Sequence, residues 1–239
     1  MLKVVGMAFF VLKLRSGDGT VEISIISLYK IKGNLMKDFI ANMGAVLVVL
    51  LAASVSYAGT LKDSRDGKTY KTVQIGDKVW MAENLNYQTG ESKCYGNKPE
   101  NCDKYGRLYV WREAVTACPD GWHLPNKQEL NDLRTLAGQK AGDIDKAGTV
   151  LKSKTGWNDE DGKSGNGTDA LGFGALPAGF YFSNFDFFIY EGSNALFWSS
   201  TENDSNDAYL LYLGYDNEGA VVGYDFKDNG FSVRCVKNP

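Results

Sequence analysis

The chain has little histidine, cysteine or proline: one, four and five among 239 residues. A single imidazole, His123, with no Cys-x-x-Cys pair to help it, leaves the common zinc ligand sets unfilled. The same scarcity removes most nucleophilic hydrolase chemistry. A serine triad would have to be built on His123, and no Gly-x-Ser-x-Gly elbow occurs. His123 lies between Trp122 and Leu124 in an apolar stretch bracketed by Pro119 and Pro125, the setting of a packed, hydrogen-bonded residue. Long apolar runs are also missing. A bilayer span needs about 20 apolar residues, and Phe39 to Tyr57 reaches that length only by including Asn42 and two serines. No repeat of fixed period is visible, which argues against solenoids and propellers.

What the N-terminal region does contain is a secretory leader set inward from Met1. Met36-Lys37 is a basic start, Met43 to Ala53 an uncharged apolar run, and Ser56-Tyr57-Ala58 a small-x-small cleavage site. The expected organisation is therefore an extension over residues 1–35 that arises from start-site choice, a signal peptide over 36–58, and one domain over 59–239. No cysteine precedes Cys94, so no thiol is placed for lipid attachment after the leader. Six of the 26 Lys/Arg and three of the 29 Asp/Glu lie before Gly59, so the remainder carries 20 basic and 26 acidic residues, a net charge of −6. That balance argues against nucleic acid and anionic membrane surfaces as partners. The expected location is exported, in the cell envelope or outside the cell, with no membrane association once the leader is cut.

Four cysteines in an exported chain suggest two disulfides, for which three pairings exist. Cys94 and Cys102 share one polar loop that a short bridge would pin, which leaves Cys118 to tie Cys235 to the middle of the chain. The longer bridge contributes about 4 kcal/mol in the chain-entropy account.

Residue patterns place the elements. Tyr70 to Met81 alternates about Gly76-Asp77 and predicts a hairpin. Tyr109 to Ala117 suits a short helix. Asn126 and Glu129 have the spacing of a capping box, followed by Leu130, Leu133 and Leu136, with a stop near Gly138. A shorter helix is expected over Ile144 to Lys152, and a long surface loop over Trp157 to Thr168. Strands are expected at 173–178, 196–201, 208–215, 220–226 and 231–236, the last ones forming an antiparallel meander through two Asp/Asn/Gly turns.

Six ordered blocks, DSRDGKTYKTVQIGDKVWMAENLNY, YGRLYVWREA, CPDGWHLPNKQELNDL, LGFGALPAGFY, FWSSTE and GFSVRCVK, run from Asp63 to Lys237. Together they resemble the Fibrobacter succinogenes major paralogous domain. The resemblance implies a secreted or surface bacterial domain without established activity. The GWHLP, FWSS and SVRC blocks are more distantly similar to the C-type-lectin-like superfold, which includes formylglycine-generating enzymes. The implied fold class is α+β, a C-type-lectin-like domain with an early hairpin, two central helices, a long loop region and a C-terminal meander. Formylglycine chemistry needs reactive cysteines late in the fold, and only Cys235 lies there, expected in a disulfide.

Two constellations remain as ligand candidates. The long loop offers Asn158, Asp159, Asp161, Asn166 and Asp169 as calcium oxygens, with Asp159, Asp161 and Asp169 the acidic set. It lacks EF-hand spacing, and its Trp-Asn-Asp triplet is not accompanied by the Glu-Pro-Asn or Gln-Pro-Asp triplets of sugar-binding lectins. The second is Gly179 to Tyr190, with seven aromatic residues interleaved with Asn184 and Asp186. Exposed, these rings would stack on sugar faces while amides and carboxylates take hydroxyls; buried, they would pack a hairpin on the core. Tyr181, Asn184, Asp186, Phe187 and Tyr190 are the candidate contacts. The expected function is non-catalytic binding of polysaccharide. A structural or protein-binding role in the envelope is second, and an enzyme such as a glycoside hydrolase third. No cofactor is expected apart from calcium.

Overall fold

The computed structural model describes residues 58–239 and, in the N-terminal region, one two-rung antiparallel ladder of Ser16–Gly17 (β1) with Thr20–Val21 (β2). The chain forms two compact units, 1–54 and 55–239. The leader expected over residues 36–58 lies outside the described residues apart from Ala58. In the second unit helices and antiparallel sheets are joined in an α+β arrangement.

The unit opens with β3 (Ala58–Lys62), β4 (Thr69–Ile75) and β5 (Lys78–Met81). As the alternation predicts, Ile75 pairs with Lys78 across Gly76-Asp77, and Gly76 takes the left-handed φ of +62° that favours glycine at such a turn. Two short helices follow. The first, α1 (Pro99–Tyr105), opens on a proline whose missing N–H costs nothing at a helix start. Sequence reasoning takes this stretch for loop, because seven mostly polar residues carry no apolar period. The second, α2 (Trp111–Ala117), buries Ala114 and Ala117.

After β6 (Trp122–His123) comes α3 (Lys127–Ala141), whose capping box is complete: the Asn126 side chain accepts from Glu129 N–H, and the Glu129 carboxylate accepts from Asn126 N–H. The helix does not stop at Gly138. It continues to Gly142, whose φ of +75° closes it, and Gly138 lies inside because a Cβ there would stand 2.8 Å from Ile144 Cα. The expected helix over Ile144 to Lys152 is a 3-10 turn (Ile144–Lys146) running into α4 (Ala147–Leu151). The expected loop contains a two-rung hairpin, β7 (Asp159–Glu160) with β8 (Lys163–Ser164).

The segment expected as a strand over 173–178 is not one. Gly172 and Gly174 hold left-handed φ values of +73° and +57°, and only Ala175 makes a bridge, to Lys152. Strand structure begins at β9 (Ala178–Phe182), which pairs with β10 (Phe187–Glu191). The meander is β11 (Asn194–Glu202), β12 (Asp207–Gly214) and β13 (Val221–Phe226). It has three strands, because the terminal segment touches it only at Ser232, parallel to β11, where Ser232 N–H donates to Leu196 O and Trp198 N–H to Ser232 O. Phe231 exchanges hydrogen bonds with Tyr109, Val233 accepts from Leu85 N–H and Cys235 from Met81 N–H. Val236 of β14 (Val236–Lys237) then pairs with Trp80 and His123, so the first sheet has the order β3-β4-β5-β14-β6.

Two buried clusters result. Val73, Ile75, Trp80, Leu130, Phe173 and Phe197 fill the space between the first sheet, α3 and the meander. Tyr70, Met81, Tyr109, Trp198, Phe231 and Val233 fill the other side. Both expected disulfides are present, Cys94–Cys102 and Cys118–Cys235. At the centre lies Arg234, fully buried. It donates to Asn84 Oδ1 (2.7 Å), to the carbonyls of Met81 and Gly174 (3.4 and 3.0 Å) and to that of Phe173, with its guanidinium carbon 4.6 and 5.4 Å from the ring centres of Phe173 and Phe197. Burial pushes its pKa down to about 9, so the guanidinium stays charged at neutral pH.

Candidate ligand cleft and aromatic hairpin

The β9–β10 hairpin has two faces with different fates. On one, Tyr181 pairs with Phe188, and Phe188 packs against Tyr95 in the disulfide-pinned loop, with ring centroids 5.3 and 5.4 Å apart. On the other, Phe180 anchors on buried Phe231 (5.4 Å) and begins a strip of rings that runs through Phe182 to Phe185 and Phe187, with Tyr190 beside Phe180. The strip ends in solvent: Phe185 is 68% exposed, Phe187 41% and Tyr190 50%.

Backbone geometry sets this aim. Tyr190 holds a φ of +66°, costly for an aromatic residue, and turns its ring onto Phe180. Gly179 faces the same rung at +62°, where a Cβ would meet Ile189 O at 2.4 Å and the Tyr95 ring at 2.8 Å.

Beside the hairpin opens a cleft of about 790 Å³. One wall is the segment Gly90 to Cys94, held rigidly from behind. Glu113 on α2 accepts from Glu91 N–H (2.8 Å) and from the Thr89 hydroxyl, Arg107 donates to Ser92 O (3.2 Å), and Lys93 exchanges backbone bonds with Leu108. The opposite wall is Tyr181, Ser183 and Asn184. Ser183 is fixed by Asn229 Oδ1, which accepts from its N–H and its hydroxyl at 3.1 Å. Lys93 Nζ stands 4.6 Å from the Tyr181 ring centre. Across one end runs an ion-pair chain in which Arg112 donates to both Glu91 oxygens and, at 3.2 Å, to Asp228. Its hydrogen bonds to Glu91 raise the Arg112 pKa further.

The structure divides the candidate contacts. Tyr181 and Asn184 line the cleft, and Asp186 accepts a 2.8 Å hydrogen bond from the Tyr181 hydroxyl, which with burial raises the tyrosine's pKa. Phe187 and Tyr190 belong to the exposed strip. Glu91, Lys93, Arg112 and Asp228 were not anticipated. Glu91, Lys93 and Asp228 are isolated charges on connections and Arg112 an exposed charge on the short α2, with no local pattern to mark them.

The acidic loop is arranged differently from the expectation. Asp159 and Asp161 are exposed on the β7–β8 hairpin, whereas Asp169 accepts a 2.6 Å bond from Gly174 N–H. Burial raises the Asp169 carboxyl despite that bond and the nearby Arg234 charge. Asn158 donates to Ser193, and Asn166 accepts from Trp157 N–H. Among the described residues no three His, Cys, Asp or Glu side chains gather as a metal site. His123 has both ring nitrogens engaged, Nδ1 with Asn238 (2.7 Å) and Nε2 with Glu129 (3.0 Å), and lies outside the cleft lining. The cleft's two carboxylates, Glu91 and Asp228, are bound to one guanidinium rather than facing each other across open space. No described helix is long and apolar enough to cross a membrane.

Residues 73–237 match the model of the Fibrobacter succinogenes major domain. The chain belongs to this family. No curated protein and no solved structure gives a significant match. The family match spans β4 to β14, and therefore the cleft, the aromatic hairpin and both disulfides.

Proposed function

We propose that this Fibrobacter succinogenes major domain is an exported, non-catalytic binding module of C-type-lectin-like fold whose ligand is polysaccharide. The observation that carries the reading is the exposed ring strip Phe185, Phe187 and Tyr190 next to a cleft lined by amide and charged side chains. The solvent-facing sides of these rings suit the C–H faces of sugars, and Asn184, Lys93 and Ser183 suit hydroxyls. Contiguous exposed apolar surface marks an interaction site. The two disulfides favour an oxidising compartment, where such polymers are met.

The test is retention of the oxidised protein on soluble and insoluble plant and bacterial polysaccharides, with and without a calcium chelator. The expected result is retention on at least one polymer, lost in Asn184→Ala and Phe187→Ala variants that remain folded. No retention on any polymer would refute the reading. It would favour a protein partner in the envelope, for which the second exposed apolar set, Val221, Tyr224 and Phe226 on the edge strand β13, is the supporting observation.

A further inference from the structure

Beyond the Arg112–Asp228 pair lies a second depression of about 440 Å³, floored by Trp111 and Lys227 and flanked by Asn206 and Phe226. Arg112 and Asp228 line both this groove and the main cleft. The divider is not a closed partition: the Arg112 side chain is 55% exposed and that of Asp228 76%. It is a solvent-facing saddle, and three of the five Arg112 N–H groups are engaged, leaving two to meet a ligand crossing it.

The groove is as firmly built as the cleft. Trp111 Nε1 donates to Ser199 O at 2.8 Å. Lys227 Nζ lies 4.8 Å from the Trp111 ring centre and donates to the carbonyls of Asp204 and Ser205, with Glu202 at 3.2 Å. Phe226, 53% exposed, supplies an unpartnered ring at this end, and Tyr181, packed against Phe188, supplies a ring edge at the other.

Resting on the binding-module reading above, we infer that the ligand is a linear, uncharged glycan chain that runs from the cleft over the Arg112–Asp228 saddle into the Trp111–Phe226 groove. Each depression has the size of a small-molecule site, in the range of about 300–1,000 Å³. A compact ligand would fill one and leave the other idle, whereas a polymer presents the same ring faces and hydroxyls at each successive unit. Charge supports neutrality. Glu91, Asp228 and Glu202 stand against Lys93, Arg112 and Lys227, three charges of each sign, so the path offers no excess of positive charge for a polyanion.

The experiment is calorimetric titration of the oxidised protein with β-1,4-linked gluco-, xylo- and manno-oligosaccharides from disaccharide to hexasaccharide, comparing wild type, Asn184→Ala and Phe226→Ala. These chains are chosen because their hydroxyls are equatorial, apart from the axial O2 of mannose, and leave C–H faces for stacking. The inference expects affinity to rise with length in at least one series. Phe226→Ala should lower hexasaccharide affinity about five- to tenfold, the value of one stacked ring, and leave the disaccharide unchanged, while Asn184→Ala weakens every length. Binding that does not depend on length, or an equal loss at all lengths in Phe226→Ala, would overturn the two-depression path while leaving the binding-module reading intact. Absence of binding at every length would overturn the inference, while the binding-module reading is decided separately by retention on the wider polysaccharide panel.

Discussion

Removing the two disulfides separately should have unequal effects, both in size and in place. Cys118 and Cys235 are 117 residues apart, and Cys94 and Cys102 only eight. If each bridge acts by restricting the unfolded chain, the loop-entropy relation gives about 4.9 kcal/mol for the long bridge and about 2.5 kcal/mol for the short one. Cys235 is completely buried, so truncation there also removes packing and adds to the first figure. For a domain of this size each kcal/mol moves Tm by roughly 2–4 °C. Cys118→Ala/Cys235→Ala should therefore melt about 10–20 °C below wild type, and Cys94→Ala/Cys102→Ala about 5–10 °C below. The long bridge fastens α2 to the segment that reaches both sheets, so its loss should speed amide exchange throughout the unit. The short bridge fastens only the loop that carries Tyr95 and one cleft wall, so its loss should speed exchange over residues 93–108 and weaken ligand retention. Urea titration followed by tryptophan emission, with exchange mass spectrometry on the same samples, reads both quantities. Equal losses of stability, or a larger loss for the short bridge, would refute the reasoning.

Two further outcomes follow from buried charge. Arg234→Met keeps the side-chain volume but leaves four oxygen acceptors in the core without their donor. It should cost about 4 kcal/mol in urea unfolding, and a loss below 1 kcal/mol would show that these bonds are not needed. Glu129 is raised by burial, but hydrogen bonds from Asn126 N–H, His123 and Lys78 outweigh that and hold its carboxyl below the ordinary 4.5. Its contribution to stability is therefore present above that value and is lost as pH falls through the folded-state pKa. Glu129→Gln should flatten the acid limb of the stability–pH curve between pH 6 and pH 3; parallel curves for variant and wild type would contradict this.

The elements legible in the sequence are those whose cause is local. Asn126 and Glu129 are three residues apart and satisfy each other's backbone, so a helix start is visible without knowledge of the rest. The Gly76-Asp77 hairpin is likewise fixed by its turn and by alternation on either side. The terminal strand failed for the opposite reason. Phe231 to Val236 reads like one more meander strand, but apart from Ser232, which lies parallel to β11, its backbone partners are Tyr109, Leu85, Met81, Trp80 and His123, more than a hundred residues earlier, and no pattern within the segment announces them. The 173–178 stretch looks apolar enough for a strand, yet Gly174 within it and Gly172 just before it take conformations that end a ladder.

The candidate site divides along the same line. Aromatic enrichment marked the hairpin, because seven rings in twelve residues stand out in any window. Whether those rings were exposed depended on which face met Tyr95 and Phe231, a matter of tertiary packing. Glu91, Arg112 and Asp228 are ordinary surface charges in sequence. They meet because Glu113 holds the 89–91 turn, Cys94–Cys102 pins the loop that follows, and the chain turns at Asp228 before Phe231 enters the core. Burial leaves a periodic trace in sequence, since the same face must be apolar at every turn or every second residue. A binding surface carried on connections must stay in water and need not be periodic. The residues that hold this scaffold are thus the readable ones, and those that would touch a ligand become apparent only when the scaffold brings them together.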